Sequence, residues 1–457
     1  MTGTHRPSRR AVLGAGTGLA VAAAAGSRAG ATARPRDAGG GRPPNIVLIM
    51  LDDVGYGDVS RLGSRRIRTP HIDGVGAGGV TFSQMYSPGP VCTPARAGLL
   101  TGRYAQRVGL PWVPGPGAPD GMPAYERTLG EILRERGYRT GIFGKWHLGD
   151  PAERPELNPL HHGFDSFYGI PGFNTDVPFP VYDGTEIVDR LEGAEQTGLP
   201  RRHTDRALGF VRRNRHRPFF LYLPYTLAHK PYYAERRFQG SSQAGPYGDL
   251  VQQADFHIGR VLRELRACGL EENTLVLITS DNGPDEHGTG GLRAGKGYTF
   301  EGGIRMPFLA RWPQRIAPGT TYDDPACLTD VLPTVAAVTG CELPDDRPMD
   351  GVDLSAALRG GRPAAERVLY HYHDWTLNAV RRGRWKLHLP GRRNGLPPGP
   401  GGPRPPLLYD IDGDPGERHD LAAAHGRTVR ELTELGARFD EEIQAGKDRA
   451  LARARHG

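Results

Sequence analysis

Cysteine is scarce: four residues, Cys92, Cys268, Cys327 and Cys341, in a chain of 457. No C-x-x-C or Cys/His spacing occurs, which argues against structural zinc. Lysine is almost as rare, with five residues (Lys145, Lys230, Lys296, Lys386, Lys447) against 53 arginines. In such a chain arginine fills the positions where any cation suffices, so a lysine marks a need for a compact, titratable ammonium. Beyond the first 33 residues no apolar run is long enough to span a bilayer. Repeats of solenoid or propeller period are absent, which removes that architecture. Aromatics make up only 8%, yet a hydrophobic share of 37% suffices for a large core and excludes wholesale disorder.

The formal charge of +7 suggests a nucleic-acid partner, but its origin argues against one. Six arginines and no acid occupy the first 36 residues, and a cut after Ala33 lowers the balance to +3. No long basic run remains. Ser8-Arg9-Arg10-Ala11-Val12-Leu13 precedes an Ala/Gly-rich stretch, and Ala31-Thr32-Ala33 offers a small-x-small cleavage site. The pattern resembles a twin-arginine export signal over 1–33, followed by an Arg/Gly/Pro linker over 34–43. The expectation is a secreted or extracytoplasmic protein with no membrane contact after signal removal. In that compartment Cys327 and Cys341 form a candidate local disulfide.

The run Asn45-Ile46-Val47-Leu48-Ile49-Met50-Leu51 has no alternation and reads as a strand buried on both faces. Similar runs span residues 140–143, 219–223 and 274–279. Helical patterns lie between them: residues 128–136 end at Gly137, and a face formed by Leu250, Ala254, Ile258, Val261, Leu262 and Leu265 stops near Gly269. The alternation predicts an α/β fold, a large, mostly parallel sheet sandwiched by helices, over residues 44–365. Residues 366–457 predict a smaller C-terminal α+β subdomain. Its short antiparallel strands are expected at 371–375, 385–389 and 407–411, with a Gly/Pro loop at 390–406 and a helix from near Thr428.

Chemically competent residues follow the buried runs: Asp52-Asp53, then Lys145 and His147, then His229, then Asp281-Asn282. Ligands of open α/β sheets bind outside the carboxyl ends of the strands, so these four strand ends are expected to converge. Asp52, Asp53, Asp281 and Asn282 offer hard oxygen ligands, which suit calcium or magnesium. Without a cation, three carboxylates in one crevice would raise one another's pKa. Lys296 also lies near this set. His161-His162 and His371-Tyr372-His373 are weaker as ligand pairs, with His373 or Asp374 as potential pocket residues.

Cys92-Thr93-Pro94-Ala95-Arg96 carries the sharpest signal. Thr93 is expected to cap a helix that begins at Pro94 and ends near Gly102, placing Cys92 where free amides favour an anion. A phosphatase-type cysteine loop needs arginine six positions on, where this chain has Gly98. The C-x-P-x-R pattern, extended by Ala97-Gly98-Leu99-Leu100-Thr101-Gly102-Arg103, instead resembles the sulfatases. Gly55-Tyr56-Gly57-Asp58, Gly144-Lys145-Trp146-His147-Leu148-Gly149, Gly163-Phe164-Asp165, Thr279-Ser280-Asp281-Asn282-Gly283, and Lys296 before Glu301-Gly302-Gly303 are similar to further motifs of that family. Leu408-Tyr409-Asp410 with Asp414-Pro415-Gly416-Glu417 resembles its C-terminal region, so the likeness covers nearly the whole mature chain.

The resemblance implies hydrolysis of small-molecule or glycan sulfate esters. It implies calcium, with magnesium as second candidate, held by Asp52, Asp53, Asp281, Asn282 and Cys92. Cys92 would be oxidised to formylglycine by a formylglycine-generating enzyme. One hydroxyl of the aldehyde hydrate, activated by the metal and Asp281, then attacks sulfur. Lys145, Lys296 and His229 bind the sulfate oxygens, His147 takes the proton of the second hydroxyl, and Arg96 holds the modified side chain. A hydrate hemiester eliminates sulfate, whereas a serine ester would need water to attack an anion. Two alternatives keep parts of this machinery: a formylglycine-dependent phosphonate monoester or phosphodiester hydrolase, and a non-catalytic sulfated-glycan binding protein. Specificity is expected in loops 114–123 and 171–190.

Overall fold

A computed structural model describes residues 42–115, 117–175, 178–285, 288–361, 366–391 and 405–457. The leader and residues 34–41 of the linker lie outside them, as does most of the Gly/Pro loop. The strands of the main sheet are β1 (Asn45–Leu51), β2 (Val80–Tyr86), β3 (Arg139–Lys145), β4 (Ser166–Ile170), β5 (Phe179–Asp183), β6 (Glu186–Leu191), β7 (Phe219–Pro224), β8 (Thr274–Ser280), β9 (Arg305–Arg311), β10 (Thr320–Tyr322) and β11 (Ala326–Cys327). Their order is β10-β2-β9-β8-β1-β7-β3-β4-β5-β6, with β11 also on β2. The central run from β8 to β4 is parallel. Antiparallel pairs, β8/β9 and β2/β9 on one side and β4/β5 and β5/β6 on the other, flank it.

β1 shows why the run has no alternation. Ile46, Leu48 and Met50 belong to one apolar core with Phe220, Tyr222, Leu275 and Leu277. Val47, Ile49 and Leu51 belong to the core on the opposite face, with Leu221, Leu223, Val276 and Ile278. Successive side chains point to opposite faces, and both faces are covered. Helices Cys92–Thr101, Leu129–Glu135 and Val331–Thr339 seal the first face through Ala95, Leu99, Ile132, Leu133, Leu332 and Val335. Helices Pro70–Ala77, Leu199–Asn214 and Gly245–Ala267 seal the second. Each buried aliphatic side chain contributes about 1.5–3 kcal/mol relative to exposure, so an acid at Ile49 would break both strand and core. Thr128 caps the Leu129–Glu135 helix in a reciprocal capping box with Glu131.

The C-terminal region holds a separate antiparallel sheet in sequential order, β12 (Val368–His373), β13 (Thr376–Arg382), β14 (Trp385–His388) and β15 (Leu407–Asp410). Helix Gly426–His456 packs on it through Leu432 and Ile443. The expected strand at 371–375 is corrected: Asp374 has φ 55, so a turn falls there and β13, absent from the sequence reading, follows it. Residues 171–190 are not only loop, since β5 and the start of β6 lie within them. All four cysteines are free, so the Cys327–Cys341 pair is not formed. Among the described residues, no helix is long and apolar enough to cross a membrane.

Candidate active site

Because β8, β1, β7 and β3 are parallel neighbours, their carboxyl ends line one edge of the sheet. There the chain runs into Asp281-Asn282, Asp52-Asp53, residues 225–229 and Lys145-Trp146-His147. Glycine makes two of these turns feasible. Gly144 has φ 147, and a Cβ there would overlap the carbonyl oxygen of Pro224. A Cβ on Gly283 would overlap the carbonyl of Gly302.

The helix Cys92–Thr101 points its first turn at this edge. Its N-cap is Val91, and Thr93 is not the cap: its hydroxyl donates to the His147 carbonyl at 2.9 Å, tying the helix to the β3 end. The C-x-P-x-R spacing puts Cys92 and Arg96 on one helix face, four residues apart. Cys92 Sγ lies 3.5 Å from Asp52 Oδ1 and 3.5 Å from Lys145 Nζ. Lys145 Nζ is 2.7 Å from Asp52 Oδ2. Arg96 donates to the Lys145 carbonyl at 2.9 Å and to Asp281 Oδ2 at 2.7 Å, and lies 3.4 Å from Asp52 Oδ2.

Asp281 Oδ1 accepts from the backbone N–H groups of Asp53 and Asn282, at 3.1 and 2.9 Å. The Asn282 amide donates to Asp53 Oδ1 at 2.6 Å and to the Gly283 carbonyl at 2.9 Å. Lys296 Nζ reaches Asp53 Oδ2 at 2.7 Å, and His229 Nε2 stands 3.7 Å from the same oxygen. His229 Nδ1 donates to the Lys230 carbonyl at 2.6 Å, which fixes the ring. All ten residues expected from the sequence therefore meet in one buried crevice.

The donor chemistry fits a hard divalent cation. Carboxylate oxygens of Asp52, Asp53 and Asp281 lie within 4.8 Å of one another, and the buried Asn282 Oδ1 has no hydrogen-bond partner among the described residues. Burial raises the pKa of Asp53 and of Asp281, and the charge of Asp52 adds to both. At Asp52 burial also pushes upward, but Lys145, Arg96, His229 and Lys296 outweigh it and hold the carboxyl well below the usual range.

Burial pushes the Cys92 thiol up despite Lys145 and Lys296, so unmodified sulfur there is a protonated thiol. Burial, with Lys145 and Arg96, pushes His147 well below its ordinary value, leaving a neutral imidazole. Neither ring nitrogen of His147 has a hydrogen-bond partner among the described residues. His147 and Asp53 hold left-handed backbone, φ 57 and 59, a strain of about 1–3 kcal/mol each that clusters at functional sites.

The other histidines play no part here. His162 stacks on Trp146, with ring centroids 5.7 Å apart, and His371 lies against Tyr86 at 5.6 Å. His373 packs on Trp112 at 4.4 Å, and neither it nor Asp374 lines the cleft beside His147. Two residues escaped sequence reasoning. Tyr247 donates to the Asp53 carbonyl at 3.0 Å, and the Phe173 ring meets His147 edge-on at 4.5 Å. The tyrosine sits on a helix 194 residues from Asp53, and no local pattern marks it.

The chain matches the family described as Sulfatase over residues 44–341, and the C-terminal region of aryl-sulfatase over residues 364–454. It is 38% identical to arylsulfatase A of Bos taurus, across 88% of this chain and 90% of that relative. It is 37% identical to N-acetylgalactosamine-6-sulfatase of Canis lupus familiaris, across 85% and 83%. Among solved structures, the PsFucS1 sulfatase from Pseudoalteromonas sp. superposes with a TM-score of 0.78 at 26% identity, covering 89% of this chain and 91% of that one. Relatives that are enzymes along nearly their whole length remove the non-catalytic binding reading. The chain belongs to the sulfatase family and is a sulfuric ester hydrolase.

Proposed function

We propose that the protein hydrolyses aryl or carbohydrate sulfate monoesters through a formylglycine hydrate made from Cys92, beside a calcium or magnesium ion. The carrying observation is that Cys92 Sγ stands 3.5 Å from both Asp52 Oδ1 and Lys145 Nζ, at the start of a helix. A thiol held protonated is a poor nucleophile, whereas the hydrate supplies one hydroxyl for attack on sulfur and a second for release of sulfate. Asp52, Asp53, Asp281 and the free Oδ1 of Asn282 are placed to hold the cation, which when bound polarises the sulfate oxygens. The ammonium groups of Lys145 and Lys296, with His229, line the place where sulfate oxygens and the leaving oxygen carry charge. His147, neutral and unpaired, accepts the proton of the second hydroxyl. Arg96 keeps Asp52 and Asp281 in register beside position 92.

Cys92 is 1% exposed, so its oxidation by a formylglycine-generating enzyme belongs before folding is complete. The twin-arginine pattern of residues 1–33 makes this an export substrate that leaves the cell already folded and modified. Turnover of 4-nitrophenyl sulfate, paired with mass spectrometry of the Cys92 peptide, tests the reading. Active protein carries the aldehyde, and Cys92→Ser abolishes turnover while melting as the parent does. Full activity with only intact cysteine at position 92 would overturn it.

A further inference from the structure

A cleft of about 140 Å³ opens directly beside His147, and its walls differ sharply from the sulfate crevice. Prolines 114, 171, 178 and 180 line it together with Phe173 and Phe179. Pro fixes φ and has little freedom to lose, so these walls are stiff. Phe173 links the two spaces: its ring meets His147 edge-on, and Lys145 Nζ lies 5.9 Å from its centroid. A substrate with its sulfate between Lys145 and Lys296 would therefore place its organic part in this cleft. The volume suits one six-membered ring, since a 150 Å³ apolar cavity takes benzene.

The charge lining the cleft is of one sign. Asp120 and Asp150 face it, and no lysine or arginine does among the described residues. Asp120 has a partner, Arg455 Nε, at 3.4 Å. Asp150 has none among the described residues: its Oδ1 accepts only the backbone N–H of Ala152 at 2.9 Å. An anionic group on the ring would meet this carboxylate with no cation to offset it.

We infer that the ring bearing the reacting sulfate is otherwise uncharged, and that Asp150 rejects rings bearing a second sulfate or a carboxylate. This rests on the sulfate-hydrolysis reading above. The class named is thus a neutral monosulfate, aryl or sugar, rather than a polyanionic chain unit.

The test compares 4-carbamoylphenyl sulfate with 4-carboxyphenyl sulfate, nearly isosteric rings that differ in charge, by released inorganic sulfate. Wild-type enzyme should favour the carbamoyl ester at least tenfold in kcat/KM, mainly through KM. Asp150→Asn keeps the acceptor for Ala152, and should bring the ratio below threefold by improving the carboxylate ester. Equal turnover of both esters by wild type, or a ratio that Asp150→Asn does not move, overturns the inference while leaving sulfate hydrolysis intact. No sulfate released from either ester or from phenyl sulfate, with the aldehyde verified at position 92, overturns both.

Discussion

Arg96 donates to Oδ2 of Asp281 at 2.7 Å, and both side chains are fully buried although 185 residues separate them in the chain. The same guanidinium holds the Lys145 carbonyl at 2.9 Å and approaches Asp52 at 3.4 Å. Three strand ends are thereby locked to one helix by a planar fork of donors.

Arg96→Lys keeps the charge and loses the fork. Groups that orient metal ligands typically cost about 10–100-fold in activity when replaced, and that is the expected fall in kcat/KM on an aryl sulfate. Melting temperature should fall as well, because buried acceptors at Lys145 and Asp281 lose donors, so kinetics are compared well below the transition. Unaltered kinetics would show that the fork does not position Asp281.

Removal of the cation should be as costly as loss of its ligand. Stripping divalent metal, or Asp281→Ala, is expected to lower kcat by about a thousandfold or more, because the charge stabilisation is worth several kcal/mol. Calcium or magnesium should restore the stripped wild type and not the variant. Full turnover by protein whose metal content has been verified as nil would end this reading.

A second buried ion network joins the C-terminal sheet to the segment after Lys296. Lys386 Nζ lies 3.0 Å from Glu301 and 3.0 Å from Glu417, and Glu417 also takes His388 at 2.7 Å. Burial raises the Glu301 pKa, but Lys386, Arg381 and Arg305 outweigh it and pull it from 4.5 to about 2. The stability this confers is complete above pH 4.5 and disappears as pH falls toward 2. Lys386→Met leaves buried carboxylates short of a cation and should cost about 3 kcal/mol at pH 7. Between pH 4.5 and about 2 the gap between variant and wild type should narrow, as the stabilisation of ionised Glu301 is lost. A difference in melting temperature that ignores pH would mean lost packing and no electrostatic role.

If the proposed modification and export both occur, burial of Cys92 puts modification first. Arg9→Lys with Arg10→Lys should trap protein in the cytoplasm that already carries the aldehyde and hydrolyses sulfate esters once a divalent cation is present. Trapped protein that is folded yet has intact cysteine at position 92 would reverse the order. Cys327 and Cys341, free in the structure, should be dispensable for activity.

The lysine count carried more information than its use at the site required. Lys145 and Lys296 flank Asp52 and Asp53, as their rarity suggested, and Lys386 is fully buried between two glutamates. Scarcity signals that an ammonium is needed without saying whether chemistry or architecture needs it. Thr93 shows the opposite failure. Its sequence context is that of a cap, but its hydroxyl donates to the His147 carbonyl instead, and the helix starts two residues earlier than expected. At 371–375 the aromatic run concealed a turn, because Asp374 adopts a left-handed conformation that its neighbours do not announce.

Period and order along the chain determined the parallel centre of the sheet, the four strand ends bearing acids, lysines and histidines, and the i, i+4 pairing of Cys92 with Arg96. Each depends on neighbours in sequence, where local propensity and patterning act. Only the tertiary structure decided that, among the described residues, Asn282 keeps a buried oxygen free, Phe173 meets His147 at the wall of the cleft, and Asp150 faces that cleft without a cation. These are properties of side chains brought together across as many as 229 residues, and no local interaction specifies which partner will be left unpaired once the strands have packed.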